Sequence, residues 1–176
     1  RMMVRPGARI PPATAAILCV VLATRVLQWL VPGWYGMLAR DPSMPWLQVV
    51  SALFAYDDGW PQIIGIVVGA LVLGVVGERR FGSLRWLAIF LTAGVVGQVV
   101  GLAWQPMGAG SSVAVAGLFG AVAVWLLQPG AGVPAFARLG PLLVLAGGVY
   151  LTAVRDIHGP PVFVGAGLAA LVLPRG

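Results

Sequence analysis

Ser112 and His158 are the two residues of this chain whose chemistry could go beyond packing, because each opens a long apolar run. A hydroxyl beside an imidazole is the minimum for an activated oxygen nucleophile: the ring nitrogen takes the hydroxyl proton as the oxygen attacks a carbonyl. A helix beginning at Ser112 would add unpaired backbone N–H groups able to stabilise a developing oxyanion. A serine at a helix start is also an ordinary N-cap, so position alone leaves both roles open. The chain has one His and one Cys, Cys19, which excludes a multi-histidine or cysteine-built metal site and an internal disulfide. No metal and no organic cofactor is implied.

The elements that must bring the pair together are membrane spans. Of 176 residues, 60% are hydrophobic and 9% charged, and the mean hydropathy is +0.96. A soluble domain carries about 25% charge, so this composition defines an all-α integral membrane protein. A span needs about 20 residues, which leaves no room here for a separate soluble domain. The net charge of +6 does not indicate nucleic-acid binding, because the arginines stand singly or in pairs between apolar runs with no basic stripe. With Arg1 rather than Met first, the native start is expected upstream, and the first apolar run is expected to be retained rather than cleaved.

Apolar runs and breakers give six spans in one domain over residues 1–176: about 13–30, 61–76, 84–104, 112–127, 137–154 and 158–173. Pro11-Pro12 suits the first helix start, and Glu78-Arg79-Arg80-Phe81-Gly82 reads as a charged turn closing the second span. The loop 31–59 is too polar to span; its Trp34, Tyr35, Trp46, Tyr56 and Trp60 suit a membrane interface, and Trp46–Phe54 reads as a short interfacial helix. Glycines within the spans suit close helix contact. Arg25 would snorkel or face a partner, Arg155-Asp156 reads as an exposed loop pair, and Tyr150 and Gln98 are expected to hydrogen-bond between helices.

Orientation follows from arginine placement. With the N-terminus inside, Arg1, Arg5, Arg9, Arg79, Arg80, Arg85, Arg138 and Arg175 fall on the cytoplasmic side, and only Arg40 and Arg155 fall in outer loops. The positive-inside rule then places both termini in the cytoplasm. The fourth and sixth spans both run inward from the outer side, so Ser112 and His158 enter at similar depth and could meet.

The sequence around these residues resembles the rhomboid family of intramembrane serine proteases. Gly110-Ser111-Ser112 followed by Gly117-Leu118-Phe119-Gly120-Ala121 is similar to the family's Gly-x-Ser and Gly-Leu-x-Gly-Ala, and the spacing selects Ser112 over Ser111. Glu78–Gly82, Ala93–Gln98, Trp46–Trp60 and His158 with Gly165 match further family segments in order, covering about Trp46 to Leu173. The chain also departs from the pattern. The family's second-helix His and Asn, which help bind the oxyanion, are Gln62 and Ile66; the Gly after the nucleophile is Val113, a stacking aromatic is Ala116, and a close-packing Gly is Pro161. Gln62 can still donate from its amide, and Ile66 cannot.

The resemblance implies a six-helix rhomboid-like bundle, N-in and C-in, acting as an intramembrane serine endopeptidase through a Ser112–His158 dyad near the outer face. Gln62 and Gly110 belong to its oxyanion and substrate side. The implied partners are a transmembrane protein substrate and the lipid bilayer, with no nucleic acid, and the implied location is a bacterial inner membrane. The alternative is a catalytically weak or inactive pseudoprotease that binds a partner helix or serves as a subunit of a larger membrane complex, which Gln62, Ile66, Val113 and Ala116 favour.

Overall fold

The computed structural model describes residues 9–43, 45–56 and 59–172, and the regular structure of the described part is helical apart from one isolated bridge between Arg40 and Gly108. The elements are α1 (Pro12–Leu30), α2 (Trp34–Leu38), α3 (Pro45–Ser51), α4 (Gly59–Phe81), α5 (Ser83–Trp104), α6 (Ser112–Leu127), α7 (Leu139–Ala153) and α8 (Gly159–Val172). Short 3-10 turns follow α3 and precede α7. Four stretches are long and apolar enough to cross a membrane by length and composition: Pro12–Leu30, Gly59–Phe81, Ser83–Trp104 and Ala135–Ala153. The apolar α6 and α8 are shorter. Arg1, Arg5, Leu173 and Arg175, which entered the sequence reading, lie outside the described residues.

Helix α6 sits at the centre, touching α4, α5, α7 and α8, while α1 packs on α4 and α5. Small residues make the central contacts possible. A methyl group on Gly120 would overlap Val162 O, and one on Gly165 would overlap Gly117 O, so α6 and α8 meet backbone to backbone. Helix α7 contributes little to the core; only Pro141 and Gly148 of it are buried.

Helix α4, the second expected span, outruns its expected end. Glu78, Arg79 and Arg80 do not form a turn but complete α4, and the break comes at Gly82, whose φ is +83°. The reason is long-range. The buried Glu78 carboxylate accepts from Ala13 N at 2.9 Å, Thr14 N at 2.6 Å, Thr14 Oγ1 at 2.8 Å and Ser83 Oγ at 2.6 Å. Pro11, at the N-cap of α1, makes no side-chain cap. Glu78 therefore supplies from another helix the acceptors that the first turn of α1 lacks.

The opposite end of the bundle carries the loops that shape the site. Arg40, in a loop between helices, is 1% exposed, donates to Gln98 Oε1 of α5 and to Gln105 O, and its backbone N–H reaches Gly108 O at 2.9 Å. Its guanidinium lies over Gly101, where a side chain would collide with it. Gln98 thus bonds to loops rather than to another helix, and Tyr150 faces outward at 66% exposure. Arg25 stacks over the Trp60 ring at 5.6 Å, tying α1 to the start of α4.

Candidate active site

The segment 105–111 enters the bundle ahead of α6 and is held at every turn. Arg40 binds Gln105 O and Gly108 O; Gln62 Nε2 donates to Ala109 O at 3.1 Å; Gly110 N donates to Ala52 O at 2.7 Å, and Gly110 O accepts from Gln98 Nε2 at 3.0 Å. Gly110 has φ +135°, a backbone conformation that favours glycine, and a Cβ there would stand 2.7 Å from Gln62 Nε2 and push that amide aside. This fixed approach delivers Ser112 as the first residue of α6.

Ser112 is not the cap of its helix. The cap position is Ser111, whose side chain makes no capping bond and is fully buried. Ser112 Oγ instead stands 2.9 Å from His158 Nε2, where α8 begins. The other ring nitrogen, Nδ1, is 2.6 Å from Asp156 Oδ1, and that same oxygen accepts the His158 backbone N–H at 2.8 Å. Burial pushes the Asp156 carboxyl up, but the hydrogen bonds from His158 and the charge of its ring outweigh this and hold it below the ordinary aspartate value of 3.8. The two side chains are each about one-third exposed, at 36% and 34%.

A cavity of about 690 Å³ opens over the pair, walled by Arg40, Gln62, Ile66, Val115, Ala116 and Phe119. Its composition explains how the departures from the family pattern are accommodated. Ile66 is 2% exposed and offers the cavity only carbon. Val113 turns away from the cavity into the space above Gly97. Pro160 and Pro161 fall in the first turn of α8, where backbone N–H groups have no helical partner, so proline costs nothing there. Ala116 leaves the cavity wall beside His158 without a ring.

Of the residues singled out in the sequence, Ser112, His158, Gln62 and Gly110 all lie at this site. The Gly110 N–H is committed to Ala52 O, so Gly110 contributes shape to the site rather than a donor. Asp156 was missed as anything but a loop charge beside Arg155. Its Asp-x-His spacing was the available signal, since an aspartate readily folds back onto the backbone two residues on.

Apolar helices packed through glycine, with a serine and a histidine in contact where two of them begin, mark a membrane protein. The chain belongs to the rhomboid family: the rhomboid domain matches residues 43–170, a stretch that includes both Ser112 and His158. That makes it an intramembrane protease or a relative of one, in a family whose members act on transmembrane substrates within the bilayer. Among curated proteins, none matches the chain.

Proposed function

We propose that this chain is an intramembrane serine endopeptidase that cleaves transmembrane substrates with Ser112 as nucleophile and His158 as base. The observation that carries the reading is the 2.9 Å approach of Ser112 Oγ to His158 Nε2 beneath an open cavity, within the reach that nucleophile activation needs. Ser112 Oγ attacks the peptide carbonyl as its proton passes to Nε2. The Ser112 backbone N–H and the Gln62 amide hold the oxyanion. His158 then gives the proton to the leaving amine, and water released onto the acyl-enzyme is activated by the same nitrogen.

In this reading residues 1–176 form one rhomboid-like domain of six spans, with α6 and α8 as short central spans and both termini cytoplasmic. The shortness of α6 and α8 supports a site sunk below the outer face. A bacterial inner membrane fits the arginine distribution. A second reading, a pseudoprotease that binds a partner helix or serves in a larger complex, draws on Ile66: a buried isoleucine stands where the family places an oxyanion donor, and losing one such donor costs about 10²–10³ in rate.

The test is reconstitution of the full chain in liposomes with a panel of single-span substrates bearing small or helix-breaking residues near the outer face. Cleavage by the wild type that disappears in Ser112→Ala and His158→Ala supports the protease. A partner retained equally by wild type and both variants, with no cleavage, supports the binding role.

A further inference from the structure

We propose that Asp156 is the third member of this site, a positioning residue that orients His158 and balances the charge its ring gains when Ser112 gives up a proton. The inference rests on the proteolytic reading above and changes its machinery from two side chains to three.

The geometry is that of a relay along one imidazole. Nε2 faces Ser112 Oγ at 2.9 Å and Nδ1 faces Asp156 Oδ1 at 2.6 Å, so the ring lies between hydroxyl and carboxylate. Which nitrogen of a neutral histidine carries the proton is set by the bond the other makes. A carboxylate can only accept, so it fixes the proton on Nδ1 and leaves the Nε2 lone pair for the serine hydroxyl. As the Ser112 oxygen bonds to the carbonyl carbon, its proton moves to Nε2. The ring becomes a cation with Nδ1–H still on the carboxylate, and Asp156 stays ionised throughout. The same Oδ1 accepts the His158 backbone N–H at 2.8 Å, which locks the carboxylate and the ring into one turn. Among the described residues lining the cavity, Arg40 alone carries a fixed charge, and Asp156 stands behind the imidazole rather than in the lining. Support for the base thus stands where support for the oxyanion has been thinned by Ile66.

A purely structural role is the competing explanation, because Asp156 also closes the turn into α8. That role needs an acceptor and not a charge, so Asn would fill it. Asp156→Asn therefore separates the two.

The experiment measures the rate of fluorophosphonate labelling of the detergent-solubilised full chain from acid to alkaline pH, for wild type, Asp156→Asn, Asp156→Ala and Asp156→Glu. Asn should label about 10–10³-fold more slowly, less than the loss at a fully buried triad acid because this carboxylate is part-exposed. Its rate should also rise at lower pH than wild type, since the ring has lost its counter-charge, while the thermal midpoint stays unchanged. Glu should recover part of the rate. Wild-type rate and pH profile in Asn would overturn the proposal while the protease reading stands. If wild type itself does not label, that reading fails, and the chain's single histidine decides the contact by ¹⁵N resonance. A ring protonated on Nδ1 that loses this preference in Asp156→Ala supports the Asp156–His158 pairing, and a wild-type ring protonated on Nε2 refutes it.

Discussion

At the scale of single residues, the site is legible as far as local sequence carries it. Ser112 and His158 announce themselves because polar groups are rare in apolar runs, and Gly117 five residues on fixes the register. The geometry agrees with that register: Ser111 is buried away from the cavity while Ser112 faces the imidazole. Gln62 was visible as a donor by its amide alone, yet its anchoring on Ala109 O depends on a fold contact that no local pattern encodes. Gln62→Leu should therefore cut the rate of substrate cleavage by about 10²–10³ and leave labelling-site identity unchanged, as read by kinetics on the reconstituted protein. A variant with undiminished turnover would remove Gln62 from the oxyanion site. Arg40 was read only as a charge in an outer loop, and its buried bonds were not foreseen because its partners Gln98 and Gln105 lie 58 and 65 residues away.

At the scale of elements, most helix limits fall within two residues of the expected spans, and the end of α4 is the exception. Helix α6 spans the same residues in sequence and structure, and α1 begins within one residue of expectation because Pro11-Pro12 marks its entry. Helix α4 ran past its apparent end because Glu78 is consumed as a cap for α1, which is a tertiary bond and invisible to periodicity. Tyr150 of α7 was expected to hydrogen-bond between helices, but it lies on an exposed face of α7. Two substitutions test which contacts hold the elements. Arg40→Met should leave Gln98 Oε1 and Gln105 O without their donor, at about 1–3 kcal/mol for each buried group left unpaired, seen as a lower thermal midpoint in detergent. Gly165→Ala should do more damage, because its methyl meets the unyielding backbone of Gly117 rather than a side chain that can move. Its cost should exceed the roughly 1–3 kcal/mol usual for overpacking. Gly167→Ala, where a methyl meets nothing, is the neutral control.

At the scale of the whole molecule, composition alone fixed the class, because so little charge cannot cover a soluble surface. The order of spans and the glycine spacing then pointed to the family that the rhomboid match over residues 43–170 bears out. Length left the central helices ambiguous: α6 and α8 fall short of a full span by themselves, and only their burial among longer neighbours makes them parts of one bundle. The proposed orientation has its own consequence. An alkaline phosphatase fused after Met107 should be active in cells, whereas fusion after Pro129 or at the C-terminus should be inactive. The reverse pattern would invert the molecule in its membrane and move the cavity to the cytoplasmic side.

The central claim is an activated serine at one position. The most direct measurement is intact-mass and peptide mapping of the detergent-solubilised chain after fluorophosphonate treatment, beside Ser112→Ala, Ser111→Ala and His158→Ala. A single adduct on Ser112, kept in Ser111→Ala and lost in the other two, is the expected result. An unmodified wild type whose thermal midpoint confirms an intact fold would contradict it and leave a rhomboid scaffold whose serine and histidine touch without chemistry.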